Sequence, residues 1–295
     1  MNILLVHNYP KGFATGGEGH VFEDEAIILE SNGHKVNKLF CSNSEATESN
    51  IINKFFYFKN ATWSTDGYKR MESAIKIYNP DVIHVHNYYL ILSPSIFQAA
   101  YDNNIPVVVT LHNYRMISPC SQLLRKNKIC ELCVGRNPWR ILLHRCYKTS
   151  FWASLLRYRI YYSSRKKYNW ERYVDLFIAL TDFAKSKFIE GRMNKEKIYV
   201  VPNCIHDPKG EKVTNNNGYG ALFVGRISKE KGISQLIEAW RHINYPLTVV
   251  GEGSLQKKLE KIAPENVNFV GLKTRNDIIE LYKNCAFVVI PSIWY

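Results

Sequence analysis

The stretch "LFVGRISKEKG" sets Arg226 and Lys231 around a turn that follows a short apolar run. A guanidinium is a planar fork matched to two phosphate oxygens and an ammonium is a mobile point charge, so the two can grip one diphosphate. Solvated surface cations are the ordinary alternative. Placement just past the carboxyl end of a strand favours the anion, because ligands of open α/β sheets gather there. "VVGEGS" repeats the strand-then-glycine arrangement, and Gly251 and Gly253 would leave room for a nucleotide to approach the backbone. Near the amino end, Gly16-Gly17 closes the loop of "HNYPKGFATGGEGH" before a helical pattern, which gives a bulky anionic ligand close access to backbone at a helix start. The spacing is not G-x-G-x-x-G and the loop is long, which disfavours a nicotinamide dinucleotide. No D-x-D triplet occurs, which disfavours a diphosphate held through a divalent metal.

A second set of chemistry-bearing residues is "CELCVGRNPWRILLHRC". Cys130 and Cys133 have zinc-ligand spacing, with His144 and Cys146 as the second pair of a structural site and Cys120 as a substitute for His144. Reduced thiols in a loop are the alternative, and nothing assigns these thiols to catalysis. The arm from Trp139 to Tyr173 follows directly. Between Arg136 and Tyr173 there are ten Lys or Arg against one acid, Glu171, so nine of the chain's thirteen net positive charges fall in one segment. Its cations alternate with Trp139, Tyr147, Phe151, Trp152, Tyr158 and other rings. Such a stretch suits an interfacial helix on anionic lipid, with aromatic rings at headgroup depth. A helix pair packing its aromatic residues on the protein is the alternative.

The elements that must position these groups alternate along the chain. Apolar runs predict strands over 2–6, 35–40, 82–86, 106–111, 176–180 and 198–201, with helical periodicity near 18–31, 68–78, 94–103 and 183–190. The polar stretch "DPKGEKVTNNNGYG" reads as a linker over 207–219 between an amino-terminal domain, 1–206, and a second domain, 220–295. Beyond it, strands near 220–224, 247–250, 267–270 and 286–290 alternate with helices near 231–243, 254–262 and 275–284. The expectation is two Rossmann-like, doubly wound parallel sheets, the second with only four strands. "CAFVVIPSIWY" would put a strand buried on both faces at the very end, on the threshold of a binding site. No signal peptide or membrane-spanning run is apparent, and seven cysteines argue for reduced thiols, so the expectation is a cytoplasmic protein.

Taken together, Gly16-Gly17-Glu18, "PDVIHVHN", "TLHNYR", "VPN", "FVGRISKEKG", "VVGEG" and "VVIPSIWY" resemble family 4 of the retaining glycosyltransferases, two-lobed enzymes of the GT-B architecture. The resemblance implies transfer from a nucleoside-diphosphate sugar to a glycan or lipid-linked acceptor, in cell-surface polysaccharide synthesis at the inner membrane face. It implies that Gly16 and Gly17 line the donor diphosphate, that Arg226 and Lys231 grip it, and that His112 is the catalytic residue facing the transferred sugar. No cofactor is implied for catalysis, and similar cysteines in one branch of the family favour the structural zinc. Asn113 stands where the family often has Asp. The family continues past the "PSIWY" position into a Glu-x7-Glu pair, which implies an incomplete second domain, inactive unless a second chain supplies the rest. A non-catalytic remnant and a basic nucleic-acid-binding protein are the rival readings; the latter leaves "FVGRISKEKG" unexplained.

Overall fold

The computed structural model describes residues 1–9, 16–44, 60–147, 149–205 and 218–295. Residues 207–217 of the expected linker lie outside that set. The chain divides into two compact units, 1–122 with 132–207, and 208–295 with 123–131. The small hairpin of β5 (Leu124–Arg125) and β6 (Lys128–Ile129) that groups with the second unit had no counterpart in the sequence expectation.

The first unit is built on six parallel strands, β1 (Asn2–Tyr9), β2 (Lys35–Ser42), β3 (Val82–Asn87), β4 (Val107–Leu111), β7 (Leu176–Ala179) and β8 (Ile198–Val200). Their order in the sheet is β2-β1-β3-β4-β7-β8. The chain winds one way from β1 to β2 and then crosses back to place β3 on the other side of β1. That reversal opens a crevice above the carboxyl ends of β1 and β3, where ligands of such sheets bind. Helix α1 (Gly17–Ser31) returns from β1 and buries Phe22 and Ala26 against Ile3, Leu5 and Tyr9. Helix α2 (Thr65–Tyr78) is started by Ser64, whose hydroxyl accepts from the Gly67 N–H at 3.0 Å. It lies against the segment leading to α3 (Ser95–Asp102), and an added Cβ at Gly67 would fall 2.0 Å from the Leu92 carbonyl oxygen. Beyond β4 come the short α4 (Arg140–Leu143), α5 (Phe151–Tyr162) and α6 (Asp182–Glu190).

The second unit has the parallel order β11-β10-β9-β12, from β9 (Ala221–Val224), β10 (Leu247–Val250), β11 (Val267–Gly271) and β12 (Phe287–Val288). Alternation along β9 decides its packing. Ala221 and Phe223 face Leu236, Ile237 and Trp240 of α7 (Ile233–Trp240) and Leu259 of α8 (Gln256–Glu260), whereas Leu222 faces Ile278 and Leu281 of α9 (Arg275–Asn284). Both faces are therefore covered. The last strand departs from expectation: β12 is a two-residue edge strand, and Phe287, Val288 and Ile290 are exposed rather than buried on both faces. Among the described residues it pairs with β9 alone, which leaves its apolar residues without a neighbouring strand on the other side.

Candidate functional site

In the first unit the carboxyl ends of β1, β3 and β4 bring four imidazoles together. Residues 84 and 86 lie two apart on β3 and so share a face of the sheet. Glu25, on α1, reaches both of them. Its Oε1 is 2.5 Å from His84 Nδ1, and its Oε2 is 3.3 Å from His86 Nε2, a contact too long or too bent to be a full hydrogen bond. His84 Nε2 lies 2.7 Å from the Thr110 hydroxyl, and His86 Nδ1 lies 3.0 Å from His112 Nε2, with the two rings stacked at 5.2 Å. His7 stacks on Phe22, and neither of its ring nitrogens has a partner.

Charge states follow from burial. Desolvation lowers the pKa of His86 to about 4, with the His84 and His112 charges adding to it and the Glu25 contact opposing it. Desolvation likewise lowers His112 to about 4, helped by His84. Burial works against ionisation of Glu25, but the hydrogen bonds and charges of His84 and His86 outweigh it and hold the carboxyl well below its ordinary range. A carboxylate only accepts, so His86 turns its Nε2–H toward Glu25 and keeps a lone pair on Nδ1. His112 must then donate from Nε2, which leaves the lone pair of its Nδ1 as the one acceptor it can offer a ligand. His112 lines a cavity of about 300 Å³ with His86, Asn87, Asn113 and Arg115.

Glu18, in the first turn of α1, is the second carboxylate of the crevice. Asn87 Nδ2 donates to one of its oxygens and Asn113 Nδ2 to the other, each at 3.2 Å. This gives Asn113 a physical reason: an aspartate there would set a carboxylate against Glu18, whereas the amide donates to it and still accepts the Arg115 N–H at 3.1 Å. Gly16 takes φ 99°, in the region that favours glycine, and a Cβ added at Gly16 or Gly17 would meet no atom of the described residues within 4 Å. Residues 10–15 of that loop lie outside the described set.

In the second unit Arg226 and Lys231 follow β9, at the point where the strand order reverses. Arg226 is largely exposed, and its Nη2 lies 3.3 Å from Glu230 Oε1. The guanidinium end is in solvent and Glu230 Oε1 also accepts the Ser228 hydroxyl at 2.7 Å, so Arg226 can turn to an incoming anion while the carboxylate keeps a partner. Lys231 Nζ stands 5.6 Å from the centre of the Trp294 ring. Gly251 and Gly253 differ from expectation. An added Cβ would lie 2.0 Å from the Gly225 carbonyl oxygen at Gly251 and 2.2 Å from that of Ile227 at Gly253. The space opposite each is already filled by the β9 loop, which is tied to the β10 loop by Gly225 N–H to Val250 O and Ile227 N–H to Glu252 O. Their smallness serves the approach of these two backbones.

The cysteine set is not assembled as expected. Among the described residues, the one group of three or more candidate ligands within 4.8 Å of one another is Glu25, His84 and His86, and none includes Cys130, Cys133, His144 or Cys146. Helix α4 ends at Leu143 and leaves His144 exposed, while Cys133 is buried. The basic arm is not one interfacial helix either. It breaks into α4, α5, a wider π-helical turn over Ser163–Lys167 and a tighter 3-10 turn over Trp170–Tyr173; Trp170 is buried, and Arg157 and Arg165 turn inward to line a cavity. Trp139, Leu143, Phe151 and Trp152 remain exposed.

Glu25, His7, His84, His86, Arg115 and Arg157 were not singled out from the sequence. A usable signal existed for three of them: the period-two pair His84 and His86, and Glu25 seven residues past Glu18 on the same helical face.

Residues 15–207 match the model described as Glycosyltransferase Family 4, and residues 208–294 match Glycosyl transferases group 1. Among curated proteins, the chain is 29% identical over 115 residues to the uncharacterized glycosyltransferase MJ1178 of Methanocaldococcus jannaschii, covering 36% of this chain and 32% of that protein. It is 30% identical over 140 residues to the capsular polysaccharide biosynthesis glycosyltransferase CapM of Staphylococcus aureus, covering 39% and 37%. The matched parts thus span about a third of these relatives. Among solved structures, Anabaena HepE in complex with UDP and glucose superposes with a TM-score of 0.56 at 16% identity, covering 99% of this chain and 74% of that one. With the Family 4 match running over 15–207, well over half of its length, the chain belongs to glycosyltransferase family 4.

Proposed function

We propose that the protein moves a sugar, with retention at the anomeric carbon, from a nucleoside diphosphate sugar to a glycan or lipid-linked acceptor in cell-surface polysaccharide synthesis. The observation that carries this reading is His112, held in one tautomer by His86 and neutral, on a cavity at the carboxyl ends of β3 and β4. A neutral imidazole with one free lone pair suits a sugar hydroxyl; it does not suit proton donation near neutral pH. Arg226 and Lys231 are assigned to the leaving diphosphate, whose growing negative charge they would stabilise, and the loop at Gly16-Gly17 to its approach. The capsular role named for CapM supports the polysaccharide setting. The UDP bound by HepE makes uridine diphosphate sugars the first donors to test. Arg226→Ala should weaken binding of both UDP and UDP-glucose by about ten-fold or more, the loss expected for one charge-assisted contact. Calorimetry that found both affinities unchanged would remove Arg226 from the donor site.

The exposed Trp139, Leu143, Phe151 and Trp152, flanked by Arg145 and Arg159, support a peripheral membrane contact on the same reading. Among the described residues no helix is long and apolar enough to cross a membrane. The protein should co-sediment with vesicles containing phosphatidylglycerol and not with phosphatidylcholine alone, and Trp152→Ser should reduce the bound fraction. Equal recovery with both vesicles would remove the anionic surface as a partner.

A further inference from the structure

A larger cavity, of about 450 Å³, lies in the first unit beside the His112 cavity and shares Tyr88, Arg115 and Met116 with it. Among the described residues, three arginines and no carboxylate line it. Arg165 is already committed, paired with Glu171 at 3.0 Å and donating to the carbonyls of Met116 and Gly191. Tyr88, Tyr161 and Ser164 likewise donate their hydroxyls within the protein.

Arg115 and Arg157 are different. Both guanidiniums bear on the ring of Tyr89, at 4.0 and 4.4 Å from its centre, and among the described residues neither has a carboxylate within ion-pair distance. Arg115 Nε and Arg157 Nη1 are buried with no acceptor. Each orphaned donor costs about 1–3 kcal/mol, and two unneutralised cations beside one ring repel each other besides. Burial and the charge of Arg157 both push the Arg115 pKa down. Arg115 keeps one hydrogen bond, Nη1 to Asn87 Oδ1 at 3.3 Å, and Arg157 stacks also on Tyr147 at 4.2 Å, but neither contact supplies a negative charge, which an anion accepting from both forks would. Tyr161 and Trp170 add aromatic surface to the cavity wall.

We infer that Arg115 and Arg157 bind an oxyanion, a carboxylate or phosphate, carried on the sugar acceptor, so that the acceptor's reacting end lies in the adjoining His112 cavity. This deepens the glycosyl-transfer reading and rests on it for the word acceptor. The anion site itself is testable without any transfer.

The full chain would be titrated calorimetrically with glucuronate, glucose 6-phosphate and glucose, with and without saturating UDP. At least one anionic sugar should bind about ten-fold tighter than glucose. Whichever anion binds more tightly tells a uronate source from a phosphoryl one. The preference should survive UDP, disappear in Arg157→Gln, persist in part in Arg157→Lys, and stay unchanged in Arg159→Gln, an exposed cation of the same helix. Arg157→Gln should melt close to the parent, because the charge it removes has no carboxylate partner and one nitrogen buried without an acceptor; a cation serving only the fold would lower the melting temperature. Equal affinities for the three sugars, a preference that survives Arg157→Gln, or an equal loss in Arg159→Gln would overturn the assignment. So would displacement of the anionic sugar by UDP, which would place it in the donor's diphosphate site. An intact preference in a protein that binds no nucleotide would overturn the donor reading and leave this site standing.

Discussion

Glu25→Ala is expected to lower the stability of the protein by about 3 kcal/mol and to free His112 from its single tautomer. The Glu25 carboxylate is the acceptor at 2.5 Å for His84 Nδ1 and lies 3.3 Å from His86 Nε2 as a charge contact short of a full hydrogen bond, and both imidazoles are buried. Deleting it strands the His84 donor, at about 1–3 kcal/mol, and withdraws the negative charge toward which His86 Nε2–H points. The second consequence travels along the chain of rings. With no acceptor at its Nε2, His86 can place its proton on Nδ1 instead and donate to His112 Nε2, which moves the lone pair of His112 away from its cavity. Nitrogen-resolved spectra of the imidazoles would show His112 protonated at Nε2 in the parent and in exchange in the variant, and urea midpoints would give the stability. Glu25→Gln should recover only part of the loss, since its amide oxygen accepts once while its NH2 faces a second N–H. A Glu25→Ala protein within about 1 kcal/mol of the parent, with unchanged imidazole signals, would show that the rings hold themselves and that Glu25 positions nothing.

Much of the framework was legible because its signals are local. Ile3 to Val6 form a continuous apolar run and are a buried strand, and the helices over 18–31 and 275–284 differ by a residue at most from α1 and α9. The fold class follows from that alternation, and the superposition on HepE agrees with it. Where the reading failed, the deciding contact was distant in sequence. Val288 is apolar enough for a central strand, yet only the sheet order reveals that β12 has a partner on one side. Gly251 and Gly253 look like ligand glycines until the β9 loop is seen to occupy the space their side chains would fill. The candidate site was legible in part. His112 was reached through a motif, but its tautomer is set by Glu25, eighty-seven residues away, by way of His86. Arg157 was counted among cations for a membrane surface, because charge in a sequence carries no direction; the packing of α5 turns that one inward while Arg159 stays in solvent.

Acid should unfold the protein early, beginning near pH 6.5. Burial lowers His7, His86 and His112 from the ordinary 6.5 to about 4, so between those values the unfolded chain binds protons that the folded one refuses. Stability therefore rises with pH through that window and falls as pH drops through it, and above pH 7 these groups contribute no slope. At about 1.4 kcal/mol per unit, one such histidine costs up to about 3 kcal/mol by pH 4, and three neighbouring ones cost less than three times that because their charges interact. Glu25 works in the same direction and lower: its carboxyl is held below its ordinary range, so the stability it contributes is present above its unfolded value and is lost on acidification through and beyond it. Urea midpoints taken from pH 7.5 to 4.5 should fall steeply below 6.5. His7→Phe should flatten the slope without loss at pH 7.5, because the ring of His7 stacks on Phe22 and neither nitrogen has a partner to lose. Midpoints level from pH 7.5 down to 5 would mean that the imidazoles take up protons in the folded protein, and neutral His112 would go with them. The same arithmetic orders the acid side of any activity profile: the fold gives way before His112 titrates near 4, so the acid limb of transfer should follow the unfolding curve and shift with His7→Phe, a residue assigned no contact with either substrate.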